Sequence, residues 1–124
     1  MDFKGPIEKY EKAVGVKVNK RAILESMKFL ISAKATYEFR TTIVPGIHKE
    51  SDLLKMAEEL RQMTKNKKQL TKISWYLQQF RSGSCLNEEF NKIKPYSKSF
   101  YDKILPRLKK IIPNTFLRGV KLFA

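Results

Sequence analysis

The chain has 124 residues, of which 42% are hydrophobic, and a formal net charge of +14. This length and apolar content suit one folded domain with a buried core. No apolar run approaches the ~18 residues needed to cross a bilayer, and residues 1–6 lack the basic start and apolar middle of a signal peptide, so we expect a single cytoplasmic domain over residues 1–124 and no membrane partner.

Cysteine and histidine are scarce. Cys85 is the only cysteine, which excludes an intrachain disulfide and an iron–sulfur or multi-cysteine metal site built from this chain alone. His48, the only histidine, follows Pro45-Gly46 at the entrance of a predicted helix. With no second histidine or cysteine nearby, it is expected to cap that helix or lie at the surface, and no metal ligand is predicted.

The positive charge is concentrated in the second half. Residues 1–62 hold 12 Lys/Arg and 9 Asp/Glu, or +3, whereas residues 63–124 hold 14 and 3, or +11. Such a field attracts nucleic acid, acidic proteins or anionic membrane without defining a site. The run KNKKQLTK at residues 65–72 lies between two periodic segments and is expected to be a solvated surface turn.

The first periodic segment predicts a helix from an N-cap at Asn19 to about Lys34. Its apolar residues recur at three- and four-residue steps: Ile23, Met27, Leu30 and Ile31. Residues 36–44 then predict a strand, because β-branched and aromatic residues alternate there and Pro45-Gly46 closes the run. One face of this strand would carry Tyr37, Phe39, Thr41 and Ile43.

A second helix is predicted over residues 51–63, with an apolar stripe of Leu53, Met56, Ala57, Leu60 and Met63. Residues 73–80 predict a second strand and residues 81–87 a loop. A third helix is expected to start at Ser97, to kink or break at Pro106, and to end at Pro113-Asn114. Residues 115–120 predict a last short strand.

Strands that alternate with helices of crossover length favour an α/β fold with a parallel sheet. Ligands of such folds bind at the carboxyl ends of the strands. This directs attention to residues 2–4, 40–45 and 78–83, where polar side chains occur that core packing does not need.

Three stretches in this order resemble a known family: MDFKGP at 1–6 with EKY at 8–10, YEFRTTIVPG at 37–46, and YLQQFR at 76–81. They are similar to radical S-adenosylmethionine activating enzymes, in particular the activating protein of anaerobic ribonucleoside-triphosphate reductase, a relative of the pyruvate formate-lyase activating enzyme. Cys85-Leu86 and KPYS at 94–97 also fit, so the resemblance covers nearly the whole chain.

The resemblance implies parallel βα repeats that form the C-terminal half of a partial (β/α) radical S-adenosylmethionine barrel. In that family a reduced [4Fe–4S] cluster cleaves S-adenosylmethionine, and the resulting 5′-deoxyadenosyl radical abstracts a glycine hydrogen from a partner glycyl radical reductase. The cofactor supplies the difficult chemistry and the protein positions it.

The family binds its cluster through Cys-x3-Cys-x2-Cys and grips the cofactor with a glycine-rich strand end, and neither motif occurs in these 124 residues. The resemblance therefore implies a truncated domain that needs an N-terminal half chain for catalysis. Neither the cluster nor S-adenosylmethionine is expected to bind tightly to this chain alone, and no catalytic residue is predicted.

The resemblance also implies cofactor-binding residues. Asp2 and Lys4 match the family's Asp-x-Lys beside the cofactor's polar end, and two residues at this spacing share one face of a strand. The alternative for this pair is a frayed, exposed terminus. Arg40 matches the polar residue of the next cofactor-facing strand, where a guanidinium can bind a carboxylate; its alternative is a salt bridge with a neighbouring glutamate.

Gln79 and Phe80 match the place where these enzymes close the site around adenine, although the formate-lyase branch has a histidine at the position of Phe80. The neighbouring Trp75 and Tyr76 are expected to belong to the core or the barrel wall rather than to a base-stacking platform.

Two other functions stay open. The basic second half suits a nucleic-acid-binding module without catalytic activity. A sheet edge left unpaired where further strands belong suits self-association.

Overall fold

The structure is a computed structural model that describes residues 1–80 and 93–118. In chain order its elements are α1 (Tyr10–Val14, preceded by a 3₁₀ turn at Ile7–Lys9), α2 (Lys20–Ser32), β1 (Phe39–Ile43), α3 (Glu50–Gln62), α4 (Lys67–Lys72), β2 (Trp75–Gln79), α5 (Lys98–Ile111) and β3 (Thr115–Arg118).

The three strands form one parallel sheet in the order β1-β2-β3. Phe39 pairs with Trp75, and Trp75 pairs with Thr115. Residues 1–3 extend the sheet beyond β1, because the Phe3 N–H donates to the Arg40 carbonyl at 2.8 Å and the Arg40 N–H donates to the Met1 carbonyl at 2.9 Å. The predicted α/β class with a parallel sheet is confirmed.

The core lies on one face of this sheet. Buried strand side chains join buried side chains of α2, α3 and α5 in one apolar cluster, whose largest members are Trp75, Tyr101, Phe3, Phe39, Met27, Ile31, Ile43, Leu53, Met56, Leu60, Ile73 and Leu77. Most of the favourable free energy of folding comes from this burial. Because α2, α3 and α5 all pack against this face, the helices of the described residues cover only one side of the strands.

Local sequence signals placed the main elements correctly. The Asn19 side chain accepts the Ala22 N–H at 3.0 Å and caps α2, as predicted. In β1, Phe39, Thr41 and Ile43 are buried and the two residues between them are exposed, which confirms the predicted alternation. The strands are shorter than predicted: β1 spans five residues of the predicted 36–44 and β2 five of the predicted 73–80.

The expectation of a surface turn at residues 65–72 is wrong, because Lys67–Lys72 form a helix. Asn66 caps this helix by accepting the Gln69 N–H at 2.8 Å, and Gln69 in turn accepts the Lys65 N–H at 2.8 Å. The Asn66 cap satisfies one of the free N–H groups of the first turn, and the Gln69 side chain ties the residue before the cap to the helix. The lysines remain at the surface as expected, but on a helix.

The predicted break at Pro106 is absent, since α5 continues from Lys98 to Ile111, whereas the alternative, a kink, stays a prediction. Pro106 is exposed, so the carbonyl that loses its N–H partner one turn earlier can bond to water. The flanking residues Tyr101, Ile104 and Leu108 are buried, and their packing holds the helix on both sides of the proline.

The predicted loop at residues 81–87, including Cys85, and the predicted last strand residues 119–120 lie outside the described residues. No helix within residues 1–80 and 93–118 combines the length and apolar character that a membrane span requires.

Candidate functional site

The face of the sheet opposite the helices carries exposed or half-exposed side chains, mostly polar. We call it the open face. Because side chains alternate along each strand, the partners in register across the sheet share this face. Its members are Asp2, Lys4, Arg40, Thr42, Tyr76, Gln78, Phe116 and Arg118. In the described part of the chain no helix covers them.

Three charged side chains predicted to bind cofactor meet on this face. Arg40 Nε lies 3.6 Å from Asp2 Oδ1, and Lys4 Nζ lies 3.9 Å from Asp2 Oδ2, with each side chain about half exposed. Exposed ion pairs of this kind contribute little to stability. Arg40 and Lys4 each keep N–H donors that the single Asp2 carboxylate does not use, and these donors can bind a carboxylate. The Asp2 carboxylate can in turn bind an ammonium group.

The cluster borders a recess of about 140 Å³, which we call the charged recess. It extends from Arg40 to the turn after β1, and its lining is Asp2, Lys4, Ala13, Arg40, Thr42, Val44 and His48. A recess at this end of parallel strands is the usual place for a ligand in α/β folds.

Tertiary hydrogen bonds fix the backbone of Lys4. Its N–H donates to the Tyr10 hydroxyl at 3.2 Å, and its carbonyl lies 2.7 Å from His48 Nε2. Phe3 is fully buried. The first segment is therefore ordered against β1 rather than frayed, and Arg40 pairs with Asp2 rather than with a glutamate.

His48 departs from its predicted place at the surface, since it is only 3% exposed. Val44 N–H donates to its Nδ1 at 2.9 Å, and burial lowers its pKa from the ordinary 6.5, against the opposing effects of the Lys4 carbonyl and the Asp52 carboxylate. The expectation of a surface or capping histidine failed because its partner Lys4 is 44 residues away in sequence.

Gln79 and Phe80 are not brought into the charged recess. Gln79 pairs in register with buried Ile43, and its side-chain amide donates to the Tyr96 carbonyl at 3.3 Å. Phe80 is 7% exposed. Gln79 is linked to the recess through Tyr96, because the Tyr96 hydroxyl donates to the His48 carbonyl at 2.5 Å. Their contact with a cofactor stays a prediction.

Strand alternation identifies open-face residues that the motif comparison missed. Trp75 and Leu77 are buried, so Gln78 rather than Gln79 shares a face with Arg40, and it pairs in register with exposed Thr42. The apolar residues at every second position, 73, 75 and 77, were the sequence signal that could have identified the face of Gln78.

An aromatic pair lies farther along the open face, toward the strand starts. The rings of Tyr76 and Phe116 are 5.2 Å apart, and the Arg118 guanidinium lies 3.8 Å from the centre of the Tyr76 ring. Arg118 also pairs with Glu38 at 3.2 Å. Trp75 lies in the core, as predicted, and Tyr76 is half-buried on the open face.

A larger depression of about 640 Å³ lies against α2, at Met1, Ala22, Ser26, Phe29 and Leu30, with Glu25 as its one charged residue. It has no opposed charges comparable to Asp2 and Arg40. We therefore place the candidate site at the smaller charged recess, where polar groups converge.

Within residues 1–80 and 93–118, no three His, Cys, Asp or Glu side chains lie close enough to hold a metal ion. The whole sequence has one cysteine, whereas a [4Fe–4S] cluster requires several thiolates. The ligand set of these 124 residues thus does not fit the cluster. The charged recess offers the cations of Arg40 and Lys4 and the carboxylate of Asp2, a set that suits a ligand carrying both a carboxylate and an ammonium group.

Comparison of the chain with protein-family models, with curated proteins and with solved structures gives no match.

Proposed function

We propose that these residues form one wall of the S-adenosylmethionine site of a radical S-adenosylmethionine activating enzyme, and that cysteines outside these 124 residues hold the [4Fe–4S] cluster. The single observation that carries the proposal is the Asp2–Lys4–Arg40 cluster on an open face of a parallel sheet. The similarity of residues 1–10, 37–46 and 76–81 to the activating enzymes of anaerobic ribonucleotide reductase suggests which cofactor this cluster binds.

The open face supports this role because a barrel half needs helices on its outer side only. Covered strands on one side and polar side chains on the other suit a wall that faces a cofactor. In this arrangement the half chain with the cluster would complete the sheet, and a glycyl radical reductase would be the enzyme activated. When bound, S-adenosylmethionine is the radical source of that reaction.

The roles of the charged residues follow from their chemistry. Arg40 presents a planar set of N–H donors that suits the cofactor carboxylate. Asp2 presents a carboxylate that suits the cofactor ammonium. Lys4 holds Asp2 from the other side and adds a second cation near the carboxylate. These three groups bind and orient the cofactor and do not perform the bond cleavage.

Titration of the isotope-labelled chain with millimolar S-adenosylmethionine tests the site by nuclear magnetic resonance. We expect weak binding, with shifts of backbone amides at the recess, and loss of those shifts in Arg40→Gln and Asp2→Asn. Arg21→Gln is the matched control, because Arg21 also pairs with a carboxylate, Glu25 at 3.1 Å, but on exposed α2. Shifts that are absent, or unchanged in Arg40→Gln, would contradict the proposed site.

Reconstitution with iron and sulfide tests the cluster. We expect no cluster absorbance from this chain alone, and absorbance with cleavage of S-adenosylmethionine once a half chain carrying Cys-x3-Cys-x2-Cys is added. A stable cluster on the lone chain would refute the proposed division of labour.

A second candidate function, nucleic-acid binding, is favoured by a basic surface at the other end of the sheet. The Asn114 side chain donates to the Thr71 carbonyl at 2.5 Å and joins the end of α5 to α4. Two groups of exposed lysines lie on or next to the two helices that this contact joins, and we call them together the basic end: Lys65, Lys67 and Lys68 at α4, and Lys109 and Lys110 in α5. In residues 63–80 and 103–118 no acidic residue occurs.

A salt titration distinguishes this candidate, because contacts with phosphates make affinity fall steeply with salt concentration. Binding of a mixed-sequence RNA or DNA oligomer is expected to weaken in Lys67→Glu/Lys110→Glu and to persist in Lys12→Glu/Lys17→Glu, which changes the net charge equally on the first half of the chain. No binding at low ionic strength would exclude the candidate.

A further inference from the structure

His48 is a buried histidine with a backbone partner at each ring nitrogen. Nδ1 accepts the Val44 N–H at 2.9 Å, and Nε2 lies 2.7 Å from the Lys4 carbonyl. A carbonyl oxygen can only accept, so Nε2 must carry a proton; an N–H can only donate, so Nδ1 must not. The two contacts together define a neutral imidazole in the Nε2–H tautomer.

These contacts connect two parts of the charged recess. Lys4 ends the first segment of the sheet, and Val44 follows directly after β1. The His48 backbone completes the connection, because its N–H donates to the Val44 carbonyl at 2.8 Å and its carbonyl accepts the Tyr96 hydroxyl at 2.5 Å. The imidazole therefore holds both walls of the recess at the end where the strands finish.

The charged groups around His48 are of both signs. Asp52 of α3 attracts a proton on the ring, but its carboxylate already accepts from the Lys49 N–H at 3.0 Å and from the Lys9 ammonium at 3.1 Å. Lys4, Lys9, Lys12 and Arg40 also border the cavities beside the ring and oppose a positive charge on it, and Tyr96 is neutral at physiological pH. In the described residues the two carboxylates near the ring, Asp2 and Asp52, are both already ion-paired, so neither is free to replace the Val44 contact.

We propose that His48 is a pH-responsive clamp on the charged recess: the neutral ring holds Lys4 and Val44 together, and protonation of Nδ1 expels the Val44 N–H and loosens that end of the recess. A protonated Nδ1 is a donor that faces another donor, so the contact cannot persist. That the clamp regulates cofactor binding rests on the proposed function, whereas the clamp itself does not.

The direction of the pH effect follows from burial. Burial lowers the pKa of His48 below 6.5, so the unfolded chain takes up this proton more readily than the folded chain. The contribution of the neutral ring to stability is complete above pH 6.5, and it declines as the pH falls below 6.5 toward the lower pKa of the folded protein. The recess is therefore expected to open as the pH falls.

The test uses the fact that His48 is the only histidine, which makes its ring resonances unambiguous in a nuclear magnetic resonance titration. At pH 7.5 we expect the Nε2–H tautomer. As the ring gains its proton, the Val44 amide is expected to lose hydrogen-exchange protection, while the Leu77 amide in the central strand keeps it. A ring in the Nδ1–H tautomer, or one that titrates with Val44 still protected, would overturn the clamp.

Two variants separate the two contacts. His48→Asn places an amide oxygen near the position of Nδ1 and can keep the Val44 acceptor, whereas His48→Gln places an amide nitrogen near Nε2 and can keep the donor to Lys4. Neither side chain titrates, so the pH dependence of Val44 protection is expected to disappear in whichever variant folds, as judged by circular dichroism. Retention of the wild-type pH dependence would refute the clamp.

Cofactor binding is measured in parallel with the same samples. Absence of S-adenosylmethionine shifts at every pH, with Val44 still responsive, contradicts the proposed function and leaves the clamp in place. Binding that is equal at pH 7.5 and at the pH where Val44 is released contradicts regulation by His48 and leaves the proposed function in place.

Discussion

The hydroxyl of Tyr10 lies 3.2 Å from the backbone nitrogen of Lys4 and accepts its N–H. The same hydroxyl donates to the Asp2 carbonyl at 3.3 Å, so one buried side chain occupies the place that a neighbouring strand would take. Burial also raises the pKa of Tyr10 above 10.0, which keeps the hydroxyl protonated. Unpaired sheet edges favour association, and Tyr10 closes part of this one.

Tyr10→Phe is therefore expected to lower the free energy of unfolding by about 1–2 kcal/mol, since it leaves two backbone groups without a partner, and to increase self-association through the first segment. Urea denaturation and sedimentation velocity measure the two effects. Tyr37→Phe is the matched control, because the Tyr37 hydroxyl is buried and has no hydrogen-bond partner in the part of the chain that the structure describes. A Tyr10→Phe protein as stable and as monomeric as wild type would contradict this role.

Thr41 of β1 connects the first segment to β2 inside the core. Its hydroxyl donates to the Phe3 carbonyl at 2.6 Å and accepts the Trp75 indole N–H at 2.9 Å. Thr41→Val is expected to destabilise the fold by about 1–3 kcal/mol, because a buried donor and a buried acceptor lose their partner while volume is nearly preserved. Thr41→Ser keeps the hydroxyl and should cost less; the reverse order in urea denaturation would show that packing, not hydrogen bonding, dominates here.

Asp52 makes a contribution to the free energy of unfolding that depends on pH. Burial by itself raises its pKa, but the Lys49 N–H and the hydrogen bond and charge of Lys9 outweigh burial, so the pKa is lowered from 3.8. A lowered folded pKa means that this stability is present above pH 3.8 and is lost as the pH falls through the folded value.

The difference in unfolding free energy between wild type and Asp52→Asn is therefore expected to be constant near neutral pH and to shrink below pH 3.8. Denaturation at a series of pH values measures it. Asp102→Asn is the control, because Asp102 is exposed and lies 3.8 Å from Lys98; an equal pH dependence in that variant would contradict the assignment to Asp52.

At Tyr101 the Tyr-to-Phe substitution is expected to change the free energy of unfolding in the opposite direction from the same substitution at Tyr10. It is 1% exposed, its hydroxyl has no hydrogen-bond partner among residues 1–80 and 93–118, and burial raises its pKa to about 12. Tyr101→Phe is expected to be neutral or to stabilise by about 1 kcal/mol, since it removes an unsatisfied polar atom. Destabilisation by more than that amount in thermal or urea unfolding would mean that the hydroxyl is bonded in the native protein.

Sequence by itself determined the elements whose signals lie within a few residues of one another. The Asn19 cap, the alternation of Phe39, Thr41 and Ile43, and the apolar stripe of α3 are set by backbone geometry and side-chain period, which act locally. The parallel direction of the strands could also be predicted, because helices of crossover length separate them. The capping signal at Asn66 was equally local, but the density of lysines around it led to the prediction of a turn.

Tertiary structure decided which side chains meet. Asp2 and Arg40 are 38 residues apart, and Lys4 and His48 are 44, so no local period relates either pair. The burial of His48, the closure of the sheet edge by Tyr10 and the continuation of α5 through Pro106 each depend on packing between distant segments. Since such contacts require paired strands and a buried face, the sequence could name Asp2, Lys4 and Arg40, but only the fold placed them beside one recess.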